Sequence, residues 1–168
     1  ALQSKLLNKV IVAVDSEETR NVINCQNIMM TSDKHQSGTD RVAEVADNFD
    51  CDVVVNIQGD EPGINPLLID QLIQLFEDPF VEMASIASTD LKEDDLNNDN
   101  VVKVNLDEEN NAISFIRNNL NPESTYYRHI GIYAYRKNTL NLFTSLSQSE
   151  NEKNHRLEQL RALDNNIA

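Results

Sequence analysis

Basic residues are scarce in this sequence. Lys and Arg number 14 against 28 Asp and Glu, a formal net charge of -14. Affinity for nucleic acid comes mainly from Lys and Arg neutralising phosphates, so such a surface repels those backbones. No cluster of Lys and Arg exists to offset it, and a nucleic-acid partner is not expected. Long apolar runs are also missing. None approaches the roughly 20 residues needed to cross a bilayer, so no membrane partner is expected. No basic, apolar and small-residue leader opens the chain. Cysteine is limited to Cys25 and Cys51, which form no C-x-x-C pair and have no neighbouring His. They read as small buried hydrophobes of a cytosolic protein rather than a disulfide framework. The three His are far apart and no zinc spacing exists. Walker loop, G-x-G-x-x-G fingerprint and G-x-S-x-G elbow are all absent.

What is present suits a folded domain. At 168 residues with 40% apolar, the chain is long enough for one hydrophobic core. Ala1 to Ser4 reads as the end of a helix already under way. Val10 to Val14 is a β-branched run of the kind found in buried parallel strands. Ser16 then caps a helix whose first turn carries Glu17 and Glu18. Further strands are expected at Asn27 to Thr31, Asp52 to Gln58 and Met83 to Ala87. Helices are expected at Arg41 to Phe49 and from Pro66 to Phe76. Asp90 to Asn100 reads as an acidic loop. Val101 to Leu106 and Ala112 to Ile116 flank an acidic turn and predict a hairpin. Arg128 to Arg136 predicts a strand with Ile130, Ile132 and Ala134 on one face and Gly131, Tyr133 and Tyr135 on the other. Asn138 to Leu146 and Glu158 to Leu163 predict helices. This alternation gives an α/β domain, a mostly parallel mixed sheet flanked by helices with an antiparallel hairpin. Val10 to Val14 and Val53 to Ile57 are expected as parallel neighbours or near-neighbours in one sheet.

Four segments carry chemistry. Asn56-Ile57-Gln58-Gly59-Asp60-Glu61-Pro62 ends a buried strand in a glycine and two carboxylates, and ligands of open α/β sheets lie beyond such strand ends. Asp60 could hold Mg²⁺, which takes one or two carboxylates plus substrate phosphates. An ordinary acidic turn is the alternative. Thr31 to Arg41 is dense in hydrogen-bonding groups that could read a base or ribose, or form a solvated loop in which Thr39 or Asp40 caps the next helix. His129 and Tyr133 flank Gly131 on one strand face, leaving a gap a polar ligand could fill; a structural His and Tyr would look the same. Glu158 and Gln159 open a helix, where a solvated face is the plainer reading.

Taken together, these segments resemble the 3-deoxy-manno-octulosonate cytidylyltransferase (CMP-KDO synthetase) family. The resemblance lies in Met30-Thr31-Ser32-Asp33-Lys34-His35-Gln36-Ser37-Gly38-Thr39-Asp40-Arg41, Asn56 to Pro62, Arg128-His129-Ile130-Gly131-Ile132-Tyr133-Ala134-Tyr135-Arg136 and Leu157-Glu158-Gln159-Leu160-Arg161, in that order. Val101-Val102-Lys103-Val104 matches a further strand. The resemblance implies a Rossmann-like nucleotidyltransferase fold, Mg²⁺ dependence, a homodimer and cytoplasmic transfer of CMP from CTP to an acidic eight-carbon sugar for lipopolysaccharide biosynthesis. It implies that Asp60 holds the metal and serves catalysis, and that Gln36, Ser37, Gly38 and Gln58 lie near CTP. Arg117, His129, Tyr133, Glu158 and Gln159 are implied to hold the sugar acid. A planar guanidinium at Arg117 suits a carboxylate.

Members of that family begin with a strand and a basic, glycine-containing triphosphate loop, and end with a second metal-binding Asp. The resemblance implies that residues 1–168 form a single nucleotidyltransferase domain lacking that N-terminal triphosphate loop and that C-terminal segment. Arg117 is followed here by Asn118-Asn119-Leu120-Asn121-Pro122 rather than a small residue and prolines. A relative acting on 8-amino-KDO or a sialic-acid-like sugar therefore stays open, as does an inactive sugar-acid-binding or dimerisation fragment.

Overall fold

In the computed structural model, which describes residues 1–59 and 63–167, strands and helices alternate through the first half of the chain. The order is β1 (Val12–Val14), α1 (Glu17–Val22), β2 (Ile28–Met30), α2 (Gly38–Ala46), β3 (Val53–Ile57), α3 (Pro66–Gln74) and β4 (Met83–Ser88). There follow α4 (Glu93–Leu96), β5 (Lys103–Leu106), β6 (Ala112–Ile116), β7 (Tyr127–Arg136), α5 (Lys137–Ser145), α6 (Glu150–His155) and α7 (Leu160–Asp164). Local chemistry explains the starts. Ser16 accepts from the Thr19 amide at the head of α1. Ser37, not Thr39 or Asp40, caps α2, and Asp40 completes a capping box with it. Asn65 caps α3, with Pro66 in its first turn where no amide partner is needed.

The longest strand, β7, organises the main sheet. It pairs antiparallel with β3 and β5 along one edge and with β4 along the other, and β5 turns back into β6 as the expected hairpin. The α/β class holds, with helices packed on a mixed set of strands. Two expectations change. β1 does not join β3; it pairs in parallel with β2 in a separate two-stranded sheet. Within the five-stranded sheet every hydrogen-bonded pair is antiparallel, because β7 lies between β3 and β4, which share a direction. A β-branched apolar run reports burial, not which strand lies beside it.

The two faces of β7 divide the core as its alternation predicts. Ile132 and Ala134 pack with Leu72 and Phe76 of the α3 side. Tyr133 and Tyr135 pack with Ala43, Ala46 and Leu140 of α2 and α5. Ile132 and Leu140 are fully buried, each contributing about 1.5–3 kcal/mol of transfer free energy. A third cluster joins Val104 and Phe115 of the hairpin to Leu157 and Leu160, so the hairpin and the C-terminal helices support each other.

Smaller corrections follow. Residues 1–10 form turns rather than a helix end; Ser4 and the amides of Lys5 and Leu6 donate to the Asp70 carboxylate of α3. The acidic segment 90–100 contains the short helix α4. The polar stretch Glu150–His155 is helical, capped by Ser149 and Glu152. Cys25 and Cys51 are free but half-buried rather than buried.

Candidate functional site

A cleft of about 610 Å³ opens where the ends of β3 and β4 meet β7. β3 brings Gln58 to its rim and the end of β4 brings Ser88 and Asp90. From β7 come Arg128, His129, Gly131 and Tyr133; from the end of β6 comes Arg117; and the segment before α7 contributes Arg156, Leu157, Glu158 and Gln159. Six residues expected at the site therefore line one cavity: Gln58, Arg117, His129, Tyr133, Glu158 and Gln159. They come from four separate parts of the chain.

A β-carbon placed on Gly131 would meet nothing within 4 Å, so this glycine leaves the cleft floor open. On either side the imidazole of His129 and the phenol of Tyr133 approach to 5.5 Å between ring centroids. Phe115 meets the His129 ring edge-on at 5.0 Å. Burial lowers the His129 pKa from 6.5 to about 4, so the ring is neutral at ordinary pH. Its Nε2 lies 2.8 Å from the Ser85 hydroxyl, which is also 2.8 Å from the Ile132 carbonyl. A hydroxyl has one proton. Donated to Ile132, it leaves Ser85 to accept from Nε2–H. That arrangement corresponds to the Nε2–H tautomer, which leaves Nδ1 as the ring's acceptor. A register shift between Ser85 and Ile86 aims β4 for this contact. Burial, reinforced by the Glu158 carboxylate, raises the Tyr133 pKa, so the phenol stays a hydrogen-bond donor.

Glu158 is held from behind. Its Oε2 accepts from the Thr39 hydroxyl at 2.7 Å, and its Oε1 has no hydrogen-bond partner among the described residues. Arg161 Nη2 lies 3.8 Å from Oε1. Arg161 itself is clamped by Glu152 through two bonds, Nε at 2.8 Å and Nη2 at 2.6 Å, both side chains nearly fully buried. Glu158 thus lines the cleft while keeping Oε1 buried, without a hydrogen-bond donor and beside the Arg161 guanidinium. Arg117 donates from Nη1 to the Asp99 carbonyl at 2.8 Å while lining the same cavity.

Of the residues expected on the nucleotide side, Gln58 lines this cleft and the other three lie apart from it. Ser37 caps α2 and lines an adjoining recess of about 410 Å³, which shares Arg156, Leu157 and Glu158 with the main cleft. Gly38 begins α2, and Gln36 is exposed just before it. Asp60 lies outside the described residues. Among those described, no group of three or more His, Cys, Asp or Glu is placed to hold a metal. Sequence reasoning missed Ser85, Thr39 as a support for Glu158, and the Glu152–Arg161 pair. Only Thr39, inside the polar 31–41 segment, carried a signal. A serine in an apolar strand carried none, and of the Glu152–Arg161 pair only Arg161 stood in a quoted segment, with no role read for it.

A polar cavity at the strand ends of an α/β sheet, lined by Arg117, Arg128 and Arg156 beside hydroxyl and amide groups, suits a polar, anionic small molecule. The cytidylyltransferase family model matches residues 1–168, and the chain belongs to that family. It is 41% identical to the 3-deoxy-manno-octulosonate cytidylyltransferase of Koribacter versatilis, over 96% of this chain and 64% of that one. With the enzyme of the same name from Chloroherpeton thalassium it shares 40% identity, over 99% of this chain and 72% of that one. The chain thus spans about two thirds of these relatives' length. A solved structure of CMP:2-keto-3-deoxy-manno-octonic acid synthetase complexed with CTP superimposes with a TM-score of 0.91 at 32% identity, covering 99% of this chain and 72% of that chain.

Proposed function

We propose that this protein transfers CMP from CTP to 3-deoxy-D-manno-octulosonate, releasing pyrophosphate. The observation that carries the reading is the single cleft that gathers Gln58, Arg117, His129, Tyr133, Glu158 and Gln159. The names of the relatives and of the CTP-bound structural neighbour support it. In this reading the sugar's anomeric oxygen attacks the α-phosphorus. An oxygen–phosphorus bond forms, the bond to the β-phosphate oxygen breaks, and the hydroxyl proton leaves to solvent.

The residues on the cleft wall do the positioning. Arg117 faces the sugar carboxylate, since a guanidinium matches a carboxylate with two parallel donors. Neutral His129 accepts a sugar hydroxyl at Nδ1 and Tyr133 donates, while Glu158, held by Thr39 and facing Arg161, forms the wall beside them. Holding two reactants in line supplies much of the rate of such a transfer. Gln36, Ser37, Gly38 and Gln58 form the CTP side. Mg²⁺ belongs to this reading, held by Asp60 together with phosphate oxygens. Mg²⁺ takes one or two carboxylates plus substrate phosphates, and Asp60 would supply one of them. When bound, the ion neutralises phosphate charge. A homodimer, a cytoplasmic setting and a product feeding lipopolysaccharide biosynthesis complete the proposal.

The test is a product assay on the full-length protein with CTP, Mg²⁺ and a panel of sugar acids. CMP-KDO and pyrophosphate should form in equal amounts, with weaker turnover of 8-amino-KDO and sialic acid. Preference for one of those two sugars would move the substrate assignment, and no product with any would reject the reading.

A further inference from the structure

We propose that Lys103 is a positioning residue that holds Arg117 and the 98–102 segment in the geometry the sugar acid needs. The inference rests on the reading of the cleft given above. Lys103 is fully buried, at 0% exposure. Its ammonium donates to two backbone carbonyls, Asn98 at 2.9 Å and Arg117. No carboxylate forms an ion pair with it among the described residues. A buried ammonium is costly unless it is fully hydrogen-bonded, and an apolar side chain of similar size would fill the same space without that cost.

What the ammonium joins gives it a role. The segment after Asn98 brings Asn100, Val101 and Val102 to the cleft, and the end of β6 brings Arg117. One wall is the lead-in to Lys103's own strand β5 and the other is the end of its hairpin partner β6, whose Ile116 pairs with Lys103. Arg117 returns a bond to the Asp99 carbonyl at 2.8 Å, and Asn118 donates to the Asp99 carboxylate at 3.1 Å. Those two ties are exposed; the Lys103 clamp is the buried one. Asp99 and Asp95 favour its charged form, partly offsetting the burial that lowers its pKa. Lys103 acts from beneath the surface and does not line the cleft, so it works through Arg117.

The test is Lys103→Met in the full-length protein, read in two ways. Amide exchange at Asn100 to Val102 and at Arg117 to Asn118 should speed up by roughly tenfold or more, the scale of losing a charged hydrogen bond, while β3 amides keep their protection. The KM for the sugar acid should rise by a similar factor, with the KM for CTP within about twofold. Added to Arg117→Met, the change should cost little more, because both act through one contact. Unchanged exchange at those amides, or equal effects on both KM values, overturns the proposal. Should Lys103→Met not fold, the Nζ resonance of Lys103 in the native protein decides. It should shift on saturation with sugar acid and hold still with CTP alone; no shift with sugar acid overturns the clamp. If the native protein turns over no sugar acid, the functional reading fails, and amide exchange still decides whether Lys103 joins the two walls.

Discussion

Acidification should destabilise this protein through His129 well before its carboxylates titrate. The ring's pKa is lowered from 6.5 to about 4 by burial. In the window between those values the unfolded chain binds a proton that the folded chain refuses. Stability therefore rises with pH through this window and is lost as pH falls from about 6.5 towards 4. Integrating between about pH 7 and pH 5 gives a loss on the order of 2 kcal/mol. Groups that move the other way, such as Glu152 and Asp107 with their depressed pKa values, lose their contribution only at lower pH. The assay is urea unfolding across that pH range for the native protein and for His129→Gln, which keeps a polar side chain without a titrating ring. The native protein should lose about 2 kcal/mol more than the variant over the two units. Equal slopes would refute the claim that His129 is held neutral by burial.

Other outcomes follow from the same contacts. Glu152→Ala leaves the buried Arg161 guanidinium without its two-bond partner and should cost about 3–5 kcal/mol in chemical denaturation. Thr39→Val removes the hydroxyl behind Glu158; it should cost about 1 kcal/mol of stability and raise the KM for the sugar acid more than that for CTP. Asp60→Asn should lower turnover by a factor on the order of 10², with part of the rate recovered as Mg²⁺ is raised. Unchanged turnover with a large fall in Tm would make Asp60 a structural turn residue.

How much of this was legible before the structure depended on the kind of signal. The period of two along Tyr127–Arg136 assigned both faces of β7 correctly, because a strand buried on two sides must sort its side chains by alternation. Cap and turn residues located the starts of α1 and α3, whereas the α2 cap was read at Thr39 or Asp40 rather than Ser37. Strand adjacency was not legible: Val12–Val14 and Val53–Ile57 look alike as sequences, yet one pairs with β2 and the other with β7. Helix α6 was missed because Glu-Asn-Glu-Lys-Asn-His has no apolar period, although Ser149 and Glu152 spell its capping box. At the site, Gln58, His129, Tyr133, Glu158 and Gln159 stood in motifs and were found, whereas Ser88, Asp90, Asn100 and Arg156, which also line the cleft, were not. The supporting roles of Ser85, Arg161 and Lys103 were not read either, although Arg161 and Lys103 stand in segments that carry the family resemblance. Their roles come from distant chain segments, and nothing in the local pattern marks a serine or lysine that will meet a carbonyl across a sheet.

The central claim is that the sugar acid occupies the cleft over Gly131. The most direct measurement fills that space. Gly131 sits in a strand, and a β-carbon there meets no neighbour within 4 Å; Gly131→Leu extends that carbon into the cavity. The account predicts an unchanged or raised Tm, since glycine weakens a strand interior, together with loss of CMP-KDO formation by a factor on the order of 10² or more. A Gly131→Leu protein that folds as well as the native one and makes CMP-KDO at the native rate would contradict it.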